Sequence, residues 1–587
     1  MRLVLGRNKV DDRGGLMETE VAIVGGGPVG LSAAALLGSL GVNTTLIERN
    51  KSTSVHPRGH VVNARTMEIF RSVGCADAVA SAGLPPERNA GVTFLSRLNG
   101  PDIGVLTTRG IPERDEAHQS ASPCLKSSCP QDVLEPILVE TARQFPSVKL
   151  LFSTELHEFT LGADNVRLDC KQGQGQLTID ARYVIATDGA RSFVRERLGI
   201  GMTGRGRIGR QLGIYFEADL WSLVEKRPYL LWWIFNAETC GVLIALDGRR
   251  RWTYNFAFDP EEQRVEEFTP ERCEAIVRAA IGANDVPIEI RSILPWRMQA
   301  RLADRFREGR IFLAGDAVHP LPPTGGQGMN TGIGDVHNLA WKLALVLRGC
   351  ASASLLDSYN EERRPVAKTN IDQSVHNAMK MAESGLSGMA THDSHIAKVL
   401  EGPEAADAER HIREVIPTLR EHFDYIGQTF GHAYASVWIV PDGTSPPPFR
   451  IEHYEPVARP GHRAPHLWLD GPKGRLSTID LTSDGRFVLL TTPEGGEWQS
   501  AFAEAAAALG IPGHCCRIGS GGDYIDEGGK FAGSYGIGSL GMVLIRPDGY
   551  VAARSAHAVP EPRKFLERVL TNALAGLPAR SEEPSAA

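Results

Sequence analysis

None of the nine cysteines of this chain stand in a CxxC pair, and an odd number cannot all pair with one another. That excludes a disulfide framework and the dithiol of a redox domain, and leaves thiols suited to a reducing compartment. No apolar run approaches the ~18 residues of a membrane-spanning helix. The first fifteen residues, "MRLVLGRNKVDDRGG", lack a signal-peptide core, so a cytoplasmic protein without a membrane partner is expected. Excess positive charge is missing too: 63 Lys and Arg against 70 Asp and Glu give −7, which argues against nucleic acid as a partner. No metal is expected. What remains is a soluble chain of 587 residues, long enough for two to four domains.

The segment "VAIVGGGPVGLSAAALLGSLGVNTTLIERN" has the order strand, glycine turn, helix, strand. Gly25, Gly27 and Gly30 form GxGxxG: the first for a tight turn, the second for close approach of a pyrophosphate, the third for helix-to-sheet packing. The helix start offers free N–H groups and a positive dipole end to phosphates. Glu48, with Arg49 beside it, stands where an acid meets a ribose hydroxyl. Two further matches, at Gly204–Gly209 and Gly536–Gly541, lack the preceding strand and read as loops.

Far downstream, "GRIFLAGDAVHPLPPTGGQGMN" has an apolar run ending on Asp316, then a loop rich in proline and glycine. Ligands of open α/β sheets sit beyond strand carboxyl ends, which points Asp316 at the crevice of the first turn. A helix follows, with Val336, Leu339, Leu343 and Leu347 on one face and Gly349 as terminator. Taken alone, Asp316 reads better as a helix cap.

These segments, with "YVIATDGARSFVRERLGI" between them, resemble the FAD-dependent aromatic hydroxylases of the para-hydroxybenzoate hydroxylase fold. Within that family the look is of phenol and chlorophenol hydroxylases and of polyketide hydroxylases. The resemblance implies an α/β chain: a Rossmann-like FAD-binding domain interleaved with an α+β substrate domain that carries an antiparallel sheet. It further implies FAD as cofactor, NADPH or NADH as transient donor, and O₂ as co-substrate, which adds to the reduced flavin to give a C4a-hydroperoxide. Glu48 would hold the adenosine ribose, Gly315-Asp316 the ribityl chain, and Pro323, Gly326, Gly328, Met329 and Asn330 the edge of the isoalloxazine. Gln131 would lie near the flavin, Asp188 and Gly189 would serve both nucleotides, and Arg58 and Pro323 would position groups on the flavin side. No acid or base is assigned. His319 reads as a loop or helix-start histidine.

Between the last two motifs, "YLLWWIFN" and "GVLIALDGRRRWTYNFAFDP" alternate as strands about an Asp247-Gly248 hairpin. Trp252, Tyr254 and Phe256 fall at period two, as do Tyr229, Trp233 and Phe235. Each alone reads as core; together, with the resemblance, they are expected to wall the substrate pocket. The C-terminal part, "RFVLLTTP" onward, resembles a thioredoxin-like domain with "PEGGEW" where CxxC would stand. The expected organisation is an extension over 1–18, a flavin domain of 19–198 and 286–405, a substrate domain of 199–285, a connecting segment of 406–454, and a thioredoxin-like domain of 455–587. The expected activity is hydroxylation of a small, electron-rich phenolic substrate. The alternatives are oxygenation of a polycyclic natural product or antibiotic and, in another class, a non-catalytic flavin-binding module. A homodimer is left open.

Overall fold

The computed structural model describes residues 16–386, 400 and 402–575. Most of the expected 1–18 extension lies outside the described residues; the first strand begins at Leu16, opposite Thr178.

Five parallel strands form the centre of the first, eight-stranded sheet, in the spatial order Ile311–Leu313, Gly175–Ala186, Leu16–Val24, Thr44–Glu48 and Val148–Phe152, with three antiparallel strands attached. Their centres are continuous apolar runs, Val21 to Val24 and Ile311 to Leu313, because parallel strands are covered on both faces. Helix Pro28–Ser39 packs between Gln131–Arg143 and Gly328–Leu347. Val24 stands opposite both Ile47 and Ala186, and Ala186 opposite Leu313. The carboxyl ends of four strands are therefore level, and the loops that follow them meet along one edge.

A seven-stranded sheet forms the second layer, ordered Glu289–Ala303, Met202–Glu217, Arg251–Ala257, Cys240–Ala245, Leu231–Phe235, Gly91–Leu95 and Gly104–Thr107. Residues 91–107 and 289–303, assigned to the flavin domain from sequence, thus belong here, since alternation marks a strand but not the sheet it joins. Gly204–Gly209 is strand rather than loop; irregular pairing between Arg205 and Gly209 absorbs the extra residues as a bulge. The hairpin forms as expected, with Asp247 accepting from the N–H groups of Arg249, Arg250 and Arg251, each at 2.9 Å.

The aromatic face of this sheet corrects the sequence reading. Trp252, Tyr254 and Phe256 point with Leu212, Ile214 and Phe216 into a core closed by helix Pro270–Ile281, away from the first sheet. Tyr229 precedes its strand, packs edge-on against Trp232 at 5.5 Å and joins the same core. Period two tells which residues share a face, not which face meets a ligand. Trp233 and Phe235 do lie on the other face, with Phe94 and Val242. One end of that face is closed by Ile412, Ile416 and Phe423, from the segment read as a connector.

The C-terminal unit has parallel strands Phe487–Thr491 and Gly513–Arg517, antiparallel Met542–Ile545 and Val551–Ser555, and helices Glu497–Leu509 and Pro562–Ala575. This is thioredoxin's order, and the turn Pro493–Gly495 stands where a dithiol would be. All nine cysteines are free thiols. Buried ions fasten this unit to the first. Glu362 accepts from Arg546 (2.6 and 2.9 Å) and Lys342 (2.8 Å), and Arg546 also pairs with Asp548. Arg463 pairs with Glu68 of helix Ala64–Ser72.

Candidate active site

The level strand ends create a groove whose walls are backbone. Gly25 has φ +110°, and a Cβ there would meet the Thr187 carbonyl at 2.6 Å. At Gly30 a Cβ would stand 2.0 Å from the Gly25 oxygen, so the helix can sit this close to the sheet only without a side chain. Around Gly27 a Cβ would meet nothing within 4 Å. Gly27 opens helix Pro28–Ser39 in extended conformation with no side-chain cap, and Pro28 at the first helical position removes one donor. The first turn's remaining N–H groups thus face open space, a phosphate-binding geometry. Glu48 is aimed at the same turn: Oε2 accepts from the Gly26 N–H at 2.6 Å, and Oε1 from the Asn50 N–H at 2.8 Å. Arg49, next in line, is exposed.

Two loops complete the edge. Asp188 Oδ2 accepts from the Val194 N–H at 3.1 Å, capping helix Phe193–Arg197, whereas Oδ1 is buried without a protein partner. Burial raises the pKa of this carboxyl. Gly189 follows at φ +84°. Arg195, itself buried, donates to the carbonyls of Ala190 at 3.2 Å and Ala317 at 2.9 Å, fixing the turn at Asp188 to the turn at Asp316. Asp316 lies deep among protein atoms, which raises its pKa against the pull of His319 and Arg58, yet its side chain keeps an exposed surface. A carboxylate both deep and accessible is one that lines a groove.

The turn carrying Asp316 is held from behind by a buried hub absent from the sequence reading. Asp335 Oδ2 accepts from His319 Nε2 at 2.6 Å and from the Gly315 N–H at 3.1 Å; Oδ1 accepts from Arg363 Nε at 2.8 Å. Burial opposes ionisation of Asp335, but His319 and Arg363 outweigh it and hold the pKa below the usual range. His319 is therefore a brace, fully buried, and no base facing a substrate. Nothing in the spacing of residues 319, 335 and 363 announces this hub; it exists only once strand, loop and two helices meet.

Pro323 is exposed on the loop, with Gly326, Gly328 and Met329 following into helix Gly328–Leu347. The Asn330 side chain accepts from the Asn63 N–H at 2.9 Å and donates to the carbonyls of Val61 (3.0 Å) and Gly326 (2.7 Å), so it braces the loop. Gln131 donates to Glu135 Oε1 at 2.6 Å. Arg58 is exposed, close enough to Asp316, Glu135 and His56 for its charge to be felt at each.

Opposite the groove, the second sheet presents a row in register across its strands: Phe94, Trp233, Val242, Asn255 and Gly213. A Cβ at Gly213 would meet His56 Nε2 at 3.4 Å, which places this row against the loop that carries Arg58. His56 Nδ1 is bonded to Ser292 Oγ at 2.7 Å. Burial, then Arg58, lowers the pKa of His56 to about 4, so it is neutral at physiological pH.

A phosphate-binding turn, an acid on the neighbouring strand and two acid-bearing loops at one sheet edge, faced by a second sheet, define a flavin-dependent hydroxylase. The FAD binding domain family matches residues 18–374, and the C-terminal domain family of aromatic-ring hydroxylases matches 457–576. The tetracenomycin A2 monooxygenase-dioxygenase of Streptomyces glaucescens is 37% identical over 583 residues, covering 94% of this chain and 97% of its own. The 2,4-dichlorophenol 6-monooxygenase of Cupriavidus pinatubonensis is 36% identical over 92% and 93%. Among solved structures, the flavin-dependent monooxygenase PieE with FAD and substrate matches at TM-score 0.88 and 32% identity, over 95% of this chain and 99% of that one. The chain belongs to the FAD-dependent aromatic-ring hydroxylases. Its cofactor is FAD, with NAD(P)H and O₂ as co-substrates. Among the described residues no helix is long and apolar enough to cross a membrane.

Proposed function

We propose that this monooxygenase hydroxylates a polycyclic phenol, of the size of an aromatic polyketide, within the wider class of electron-rich phenols. The observation that carries the size is the row across the second sheet. With Trp252, Tyr254 and Phe256 turned into the core, the side chains between Trp233 and His56 are only Val242, Asn255 and Gly213. In this reading the strip of small side chains is the floor of a substrate trough that suits an extended ring system better than a single ring. Relatives acting on tetracenomycin A2 and on dichlorophenol match about equally well, and the strip of small side chains favours the larger substrate.

In this reading Gly25, Gly27, Gly30 and Glu48 hold the adenosine and pyrophosphate end of FAD, Asp188 the junction between halves, Asp316 the ribityl chain, and Pro323 with Gly326, Gly328 and Met329 the ring edge. Arg58 lies beside the flavin as an exposed positive charge. Asn330 and Gln131 act behind them as braces. Bound FAD supplies reduction by NAD(P)H and activation of O₂. The chain's own work is to bind and orient the phenol, keep it against the ring edge, and exclude water until oxygen is transferred. The orphaned Asp188 Oδ1 and the accessible Asp316 fit a hydroxylated cofactor chain.

The test is oxidation of NADPH and NADH by the FAD-loaded protein, with hydrogen peroxide followed in parallel, over a panel from chlorophenols to hydroxylated anthraquinones and naphthacenequinones. Stimulation confined to multi-ring phenols, with oxygenated product and little peroxide, is expected. Coupled turnover of chlorophenols alone would establish the single-ring reading instead.

A further inference from the structure

A buried cation that the flavin cradle does not use lies beside the flavin-edge loop. Val61 packs against Gly326, where a Cβ would stand 2.8 Å from its own. Val61 pairs with Ser128 in a two-stranded ribbon, and Ser128 Oγ is bonded to His60 Nδ1 at 3.0 Å. Two residues before Ser128 comes Lys126. Its ammonium donates to the Phe423 carbonyl at 3.3 Å and lies 5.5 Å over the Tyr425 ring. His422 stacks on Phe423 at 4.2 Å and meets Trp233 at 6.3 Å. The chain of contacts therefore runs from the flavin-edge glycines, through His60 and Lys126, to the aromatic end of the trough.

Lys126 is underused by the protein. Of three ammonium donors, one has a direct partner among the described residues. The neighbouring carboxylate, Asp424, is already bonded by Arg114 and by His118 at 3.2 Å. A second cation, Arg109, donates to the Lys126 carbonyl at 2.6 Å and adds to the local positive charge. Lys126 and His60 sit deep among protein atoms, yet both keep some accessible surface. Burial first, then Arg109, lowers the pKa of Lys126 to about 8, against the pull of Asp424, so it is still mainly cationic at neutral pH. Burial and Lys126 hold His60 neutral, at about 4.

Resting on the hydroxylase reading above, we propose that Lys126 holds the ionised hydroxyl oxygen of the phenolic substrate and so anchors the ring at the far side of the trough. An opposite charge within ~4–6 Å lowers the pKa of a bound acid by about 1–3 units. The substrate would enter as phenol and remain as phenolate, its proton leaving to water. Trp233 Nε1 and His422 Nδ1, both buried without protein partners, would take polar substituents further along.

The probe is 1,2-dihydroxyanthraquinone, whose ionisation shifts its colour beyond the flavin bands. Its apparent pKa when bound is read by spectral titration on the FAD-loaded wild type, K126M and K126R. A bound pKa about 1–3 units below the free value in the wild type, regained in K126R and lost in K126M, supports the assignment. Equal ionisation of the bound probe in wild type and K126M overturns it, leaving Lys126 a clasp for the Phe423 carbonyl. If the wild type binds only single-ring phenols, the polycyclic reading fails, and the same three proteins are titrated with 4-nitrophenol. Failure of the wild type to bind either probe would overturn both proposals. Retention of the flavin spectrum in K126M and K126R separates these outcomes from misfolding.

Discussion

Replacing Asp335 by asparagine probes whether the turn at Asp316 depends on a charge it never touches. The carboxylate has three donors arranged around two oxygens: Arg363, His319 and the Gly315 N–H. An amide of the same shape keeps one acceptor oxygen and presents an NH₂ in place of the other. If the oxygen stays with Arg363, the amide must face both the Gly315 N–H and His319. His319 can change tautomer and accept; the Gly315 N–H cannot. One buried donor is orphaned, at about 1–3 kcal/mol. The guanidinium of Arg363 also loses its counter-charge, keeping only neutral acceptors: the new amide oxygen, the Thr331 carbonyl at 3.0 Å and the Tyr434 hydroxyl at 3.1 Å. Breaking a buried pair from one side costs about 3–5 kcal/mol. The two costs overlap, so a loss of about 3–5 kcal/mol in denaturant stability is expected for D335N. Because Gly315 is the residue before Asp316, part of that loss should appear in cofactor affinity, tenfold in Kd for every ~1.4 kcal/mol. Flavin fluorescence on titration measures the second quantity and urea unfolding of the apoprotein the first. A variant with unchanged FAD affinity and less than about 1 kcal/mol lost would refute the hub as the support of the turn.

Two other expectations follow from burial and charge. E362Q should destabilise the junction with the C-terminal unit by about 3–5 kcal/mol, and adding K342M should restore part of it by returning the buried charges to balance, read as coupling in a double-mutant cycle. Glu362, Glu68 and Asp335 all have native pKa values held below their unfolded ones. Their stabilisation is therefore complete above about pH 5 and is lost as pH falls further, so a wild-type stability that is flat down to pH 3 would count against this network. W233A should weaken binding of multi-ring phenols about tenfold or more, whereas F256L, in the opposite core, should leave substrate Kd unchanged; equal effects would reverse the assignment of faces.

Legibility from sequence followed the range of the interaction. Gly25 to Glu48 could be read because strand, turn and helix are local, and each glycine answers a local steric demand. Gly315-Asp316 became a cofactor loop only by resemblance, since its partners lie at residues 24, 186 and 335. Alternation found the strands of the second sheet but chose the wrong face for Trp252, Tyr254 and Phe256, because a helix at 270–281 claimed them. Asn330, named for the flavin edge from the glycine-rich run, also clasps Val61, Asn63 and Gly326 through its side chain, which no spacing announced. Lys126 had no motif at all; its isolation among Arg109, His60 and a satisfied Asp424 is a property of the folded interior.

The tie between Arg463 and Glu68 has a consequence for how this protein can be dismantled. Glu68 rides on helix Ala64–Ser72, whose cap residue, Asn63, is the one gripped by Asn330 at the flavin loop. The C-terminal unit, which has no CxxC pair, is thus a splint set two contacts away from the cofactor. Cutting it off would do more than shorten the chain: Glu68 would lose Arg463 and keep only Arg65, Glu362 would lose Arg546 and keep only Lys342, and both pairs would be opened to water beside the helix that supports the flavin loop. A minimal version of this enzyme is better sought by redesigning that surface than by trimming to it.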